Sequence, residues 1–86
     1  MTPSEALQQA ALAGKTGQFD VSSHCLKRMR ERRVTRYDIR LALQSATGAT
    51  HQDGDKWRLE GGRDDGGDEL GVVVVFTGHT LVVTVF

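Results

Sequence analysis

At Gly48 the hydrophobic rhythm of the chain changes, and no single kind of regular element can serve both sides of it. Before that glycine, apolar residues recur at helical spacing, as in Ile39, Ala42, Leu43 and Ala46. Beyond it they alternate, as Trp57 and Leu59 do, or run in valine-rich blocks from Leu70 to Phe76 and from Thr80 to Phe86. A helical half followed by a strand half in 86 residues predicts an α+β fold: N-terminal helices packed mainly on one face of an antiparallel sheet of about four strands. A chain of this size buries only about two thirds of its unfolded surface, so residues 1–86 are expected to form a single domain.

Punctuation fixes the elements more closely. Thr2 is placed to cap a first helix over residues 1–14, with Pro3 at its first position and Glu5 closing a capping box. Phe19 to Val21 reads as a short extended piece, and Ser22 or Ser23 can cap a second helix through about Arg32. Thr35 then caps a third helix, with Asp38 three residues on. Downstream, Ala49 to Asp53 and Lys56 to Glu60 form a hairpin around Gly54-Asp55. The stretch from Gly61 to Asp68 is a charged, glycine-rich loop, and Thr77-Gly78-His79 turns between the two valine-rich strands.

Eleven basic and eleven acidic residues cancel, but they are unevenly spread. Ser23 to Arg40 carries Lys27, Arg28, Arg30, Arg32, Arg33, Arg36 and Arg40 against only Glu31 and Asp38. His51 to Leu70 carries seven acids against Lys56, Arg58 and Arg63. Arginine's planar fork pairs bidentately with phosphate, so the basic segment fits an RNA or DNA partner. It equally fits a solvated helix whose arginines pair with the acidic half of the same chain. The single cysteine, Cys25, permits no intrachain disulfide and no thiolate metal cage. The longest apolar run, Val72 to Phe76, falls far short of the roughly 20 residues of a membrane helix, and no signal-peptide pattern opens the chain. A cytoplasmic location is the default expectation.

The densest chemistry lies between Ser23 and Arg32. With His24 at zero on a helical wheel, Arg28 falls at about 40° and Arg32 at about 80°, one narrow stripe. Cys25, Met29 and Leu26 follow at about 100°, 140° and 200° as the expected buried face. The stripe therefore runs along the rim of the core, near a helix start whose dipole favours an anion, and His24 is suited to act as a base. The plainer reading is a histidine near a cap and two arginines covering apolar area with their stems. His24, Cys25, His51 and His79 fit no zinc-ligand spacing, and the acids from Asp64 to Glu69 lack the order of a calcium loop. Neither metal nor cofactor is expected. His79 reads as a solvated turn residue and Trp57 as core. Thr84 is expected on the face of Val82 and Phe86, where its hydroxyl needs a partner.

Several of these pieces recur together in a known order. Ser22-Ser23-His24, Arg28-Met29, Glu31 to Thr35, Asp38-Ile39, Ala42-Leu43, Asp53-Gly54, Trp57 to Gly61 and Val82 to Phe86 resemble the bacterial domain-of-unknown-function 4258 family over about residues 19–86. That family looks like a branch of the RelE and barnase-like fold, which includes MqsR-type toxins of toxin-antitoxin pairs. The resemblance implies a metal-independent endoribonuclease that cleaves RNA by attack of a ribose 2′-hydroxyl on the adjacent phosphate. Carried over, His24 would be the general base or acid, Arg28 and Arg32 would bind the scissile phosphate, and Thr84 would position a phosphate oxygen or the histidine. Lys27, Arg36 and Arg58 would add RNA contacts. The partners implied are RNA and an antitoxin protein covering the basic groove. The alternative is a non-catalytic module that uses the same basic helix to bind RNA or protein.

Overall fold

The computed structural model describes all residues from Met1 to Phe86. Three helices, α1 (Pro3–Thr16), α2 (Ser23–Arg32) and α3 (Arg36–Ser45), accompany five strands. These are β1 (Asp20–Val21), β2 (Gly48–His51), β3 (Lys56–Glu60), β4 (Val72–Phe76) and β5 (Thr80–Val85). The architecture is α+β, as the change of rhythm predicts. β2 to β5 form an antiparallel meander in the spatial order β5-β4-β3-β2. The extended piece before α2 adds a fifth strand: β1 pairs with β5 in parallel, Asp20 opposite Leu81 and Val21 opposite Val82.

Each helix starts where its side chains can satisfy otherwise orphaned backbone donors. Thr2 and Glu5 form the capping box of α1, Thr35 and Asp38 that of α3, and the Ser22 hydroxyl accepts from the Cys25 N–H at 2.9 Å. α1 runs two residues past Gly14 and ends at Gly17, which takes the left-handed conformation (φ 75°). Gly14 is instead a packing residue: a Cβ there would lie 2.5 Å from the Arg40 carbonyl oxygen, so its bareness sets how closely α1 and α3 approach.

All three helices feed one core. Ala6, Ala10 and Ala13 of α1, Cys25 of α2, and Ile39, Ala42 and Leu43 of α3 pack with Trp57, Leu59, Val72, Val74, Val82 and Val85. Those strand residues share one face of the sheet, and the opposite face carries no helix. Burying this apolar area at about 25 cal/mol per Å2 is the main favourable contribution to folding. Leu26 does not join the core as expected: it is 41% exposed, whereas Cys25 is fully buried and Met29 packs against the core.

The face assignment of Thr84 also differs from strict alternation. Val73 pairs with Thr84 but Val74 pairs with Val82, so Val83 is an extra residue in β5, a β-bulge. Past the bulge the period slips by one, and Val85, not Thr84, joins Val82 in the core. Thr84 lies on the helix-free face, in one row with Val73 and Arg58.

Candidate functional site

α2 brings most of the basic segment to one place, and β1 fixes where it starts. The Ser22 N–H donates to the Val82 carbonyl at 2.9 Å, and its hydroxyl donates to the Val83 carbonyl at 2.6 Å. Two residues later stands His24, in the first turn of α2, so the helix begins beside the bulged part of β5 that carries Thr84. Register and packing thus put His24 and Thr84 on neighbouring segments. His24 is exposed, Arg28 half-buried and Arg32 exposed, in keeping with a stripe running from the core margin into solvent. Thr84 makes only a long contact to the Val85 carbonyl, 3.4 Å, which leaves its hydroxyl nearly free to serve another partner.

The cations divide by what holds them. Arg36 and Arg40 are engaged inside the fold. Arg36 donates to the carbonyls of Gly17 (3.1 Å) and Phe19, and its guanidinium lies 4.0 Å from the Phe19 ring centre. Arg40 donates to the carbonyls of Gly14 and Lys15, both at 2.9 Å, where it offsets the negative end of α1. Lys27, Arg28, Arg30, Arg32 and Arg33 make neither a side-chain hydrogen bond nor an ion pair; the sole ion pair of the structure is Arg58 to Glu60. The arginines of α2 are therefore not spent on the acidic loop, the plainer of the two readings of the charge pattern.

That loop is occupied with itself. Asp64 accepts from the Asp68 N–H at 2.9 Å, Arg63 donates to the Gly67 carbonyl, and the Asp65 N–H reaches across to Asp38 at 3.0 Å. Asp38 is held below the usual carboxylate range chiefly by the Thr35 N–H, with the Asp65 N–H and Thr35 hydroxyl adding to it against a smaller cost of burial. Cys25 is fully buried, and burial pushes its thiol up, away from nucleophilic character.

Arg58 stands on the helix-free face. Its Nε donates to Glu60 at 2.7 Å, and its guanidinium lies 3.8 Å from the Phe86 ring centre. Gly71, paired with Phe86, makes this possible: a Cβ there would sit 2.2 Å from the ring. No sequence pattern announces this stack, since it joins residues 28 positions apart across an unoccupied glycine.

Three concavities mark the surface, and none is lined by His24, Arg28, Arg32 or Thr84. The largest, about 440 Å3, lies between His51, Trp57, Asp55 and Phe76. The other two flank the turn at His79, against Gln9, Leu12 and Thr16 of α1 in one and Met1 and Phe76 in the other. His79 is thus a solvent-facing residue at the rim of both, as a turn residue is expected to be.

A model of the family described as a domain of unknown function, DUF4258, matches residues 21–86, which take in α2, α3 and strands β2 to β5. No curated protein and no solved structure matches the chain. The matched span holds every residue of the candidate site and leaves only α1 and the start of β1 outside, so this chain belongs to the DUF4258 family.

Proposed function

We propose that the chain grips RNA along α2 and cuts it without a metal ion, as a toxin-like endoribonuclease of a toxin-antitoxin pair. The observation that carries the grip is the group of five cations on α2 and its cap, Lys27, Arg28, Arg30, Arg32 and Arg33, that no acid of the chain neutralises. Left unpaired, they draw a polyanion and release its counterions on binding. The cut rests on His24, which stands in the first turn of α2 beside the β5 segment that carries Thr84. In the proposed step His24 takes the proton of a ribose 2′-hydroxyl, the 2′-oxygen bonds to the adjacent phosphorus, and the bond to the 5′-oxygen breaks. The leaving oxygen takes up a proton from water, and a 2′,3′-cyclic phosphate remains. Arg28 and Arg32 offset the charge growing on the phosphate oxygens, and Thr84 donates to one of them. The chemistry is the one implied if the DUF4258 family is a branch of the RelE and barnase-like fold. An antitoxin would mask α2, and the cytoplasm is where such a pair would act.

A second reading, binding of RNA or protein without cleavage, is favoured by the lack of any concavity beside the four residues. Incubation of single-stranded RNA with purified protein and excess chelator separates the two. Cleavage predicts cyclic-phosphate ends, lost in His24→Ala while the fold and RNA binding persist. Intact RNA at high protein concentration rejects the nuclease and leaves the binding module.

A further inference from the structure

The sheet face that carries no helix has a charge order of its own. Across four strands one row reads Lys56, Val75, Leu81, Asp20: a cation on one side, two apolar side chains in the middle and an anion on the other. Neither Lys56 nor Asp20 is ion-paired within the chain, since the sole ion pair joins Arg58 to Glu60. Adjacent strands lie about 4.8 Å apart, so about 14 Å separates the backbones of Lys56 and Asp20, too far for their side chains to meet in one molecule. Val75, Leu81 and Phe86 are only half-buried, which leaves the middle of the face apolar and partly open.

Such a row is complementary to itself. A two-fold axis between β4 and β5, running along the strands, turns a second copy over so that its Lys56 stands over Asp20, its Asp20 over Lys56, and its Val75 over Leu81. An axis along the row would instead set Lys56 over Lys56 and Asp20 over Asp20, so charge selects the first. The strands of the two sheets then run nearly in line, the aligned packing that stacked sheets about 10 Å apart adopt.

We propose that two copies of this chain pair through the helix-free face as a two-fold dimer, with Lys56 of each copy facing Asp20 of the other. Five strands by about five residues measure on the order of 24 by 17 Å, about 400 Å2 in outline. That is below the roughly 800 Å2 each partner buries in a stable complex, so the dimer is weak and concentration-dependent. A polyanion or an acidic segment is disfavoured as occupant because the face carries both signs, Lys56 and Arg58 against Asp20 and Glu60. The helices stay on the outside of such a pair, so it does not depend on what α2 binds.

Sedimentation equilibrium of the full chain, from about 10 μM to about 1 mM, measures the association. The wild type is expected to show a monomer–dimer equilibrium within that range. Lys56→Glu and Asp20→Lys each turn two facing attractions, one per copy, into two repulsions, and each alone is expected to weaken the dimer roughly tenfold. Because the contact is reciprocal, mixing the two variant chains restores association, and so does joining both changes in one chain. Leu81→Lys sets a charge in the apolar middle and is expected to abolish the dimer. Circular dichroism checks the fold of each variant; Lys56→Glu and Leu81→Lys suffice if the change at Asp20 disturbs β1. A wild type that stays monomeric to about 1 mM overturns the proposal and leaves the face to a different protein. A dimer untouched by both single charge changes, or weakened by them and rescued by neither the mixture nor the double variant, also overturns it.

Discussion

The arrangement of cations around α2 makes a quantitative claim about salt. On the helical wheel Lys27, Arg28 and Arg32 fall at about 300°, 40° and 80°, an arc of about 140° centred near His24, while Arg30 lies at about 240°, close to the opposite side. A single RNA strand laid along the His24 side meets three cations and not the fourth. Each phosphate neutralised on a single strand contributes about −0.7 to the slope of log K against log salt, so α2 alone supplies a slope of about −2. Raising salt from about 50 to 200 mM should then weaken binding by roughly twentyfold through α2. Replacing Lys27, Arg28 or Arg32 by alanine, one at a time, should each flatten the slope by about 0.7. Arg30→Ala should leave it as it was. Anisotropy titrations of uncleavable RNA at four or five salt concentrations measure these slopes directly. If Arg30→Ala flattens the slope as much as Arg28→Ala does, the helix acts as diffuse charge and the one-sided docking is refuted.

Three further outcomes follow from the packing. Gly14→Ala gains about 1 kcal/mol in helix propensity, yet its Cβ meets the Arg40 backbone oxygen at 2.5 Å, an overlap worth about 1–3 kcal/mol; a lower thermal midpoint is expected, and a higher one refutes the tight α1–α3 contact. The Asp38 carboxyl titrates lower in the folded chain than in the unfolded one, so its contribution to stability is present above its ordinary value near 3.8 and is lost as pH falls through its folded value. Urea unfolding should therefore show a gap between wild type and Asp38→Asn at pH 6 that narrows toward pH 3, and a gap constant with pH counts against the cap. Cys25, fully buried with its thiol pushed up, should react with a disulfide reagent at pH 7–8 only as the chain opens; labelling at the rate of a free thiol contradicts its burial.

What could be read beforehand was what acts over a few residues. Thr2 with Glu5, Ser22, and Thr35 with Asp38 announce three helix starts because capping is a contact between positions two or three apart. The valine-rich strands and the core place of Trp57 follow equally from composition and alternation. What escaped depends on partners far along the chain. β1 is two residues long and exists through its bonds to β5, sixty-one positions away. The bulge at Val83 is a register event between two similar valine strands, and only pairing decides which residue is extra. For the candidate site the residue types were legible but not their engagements. Arg36 looks like Arg32 in a charge count, yet it is bound to the carbonyls before α2 while Arg32 is free.

The parallel pairing of β1 with β5 also bears on how the protein is made. β5 lies second in the sheet, between β1 and β4, although it is synthesised about sixty residues after β1. While it is still threading the ribosomal exit, α2 has no strand to lean on, and Ser22 lacks the carbonyls that orient it. The start of α2 therefore takes its final place only once β5 has paired with β1, late in folding.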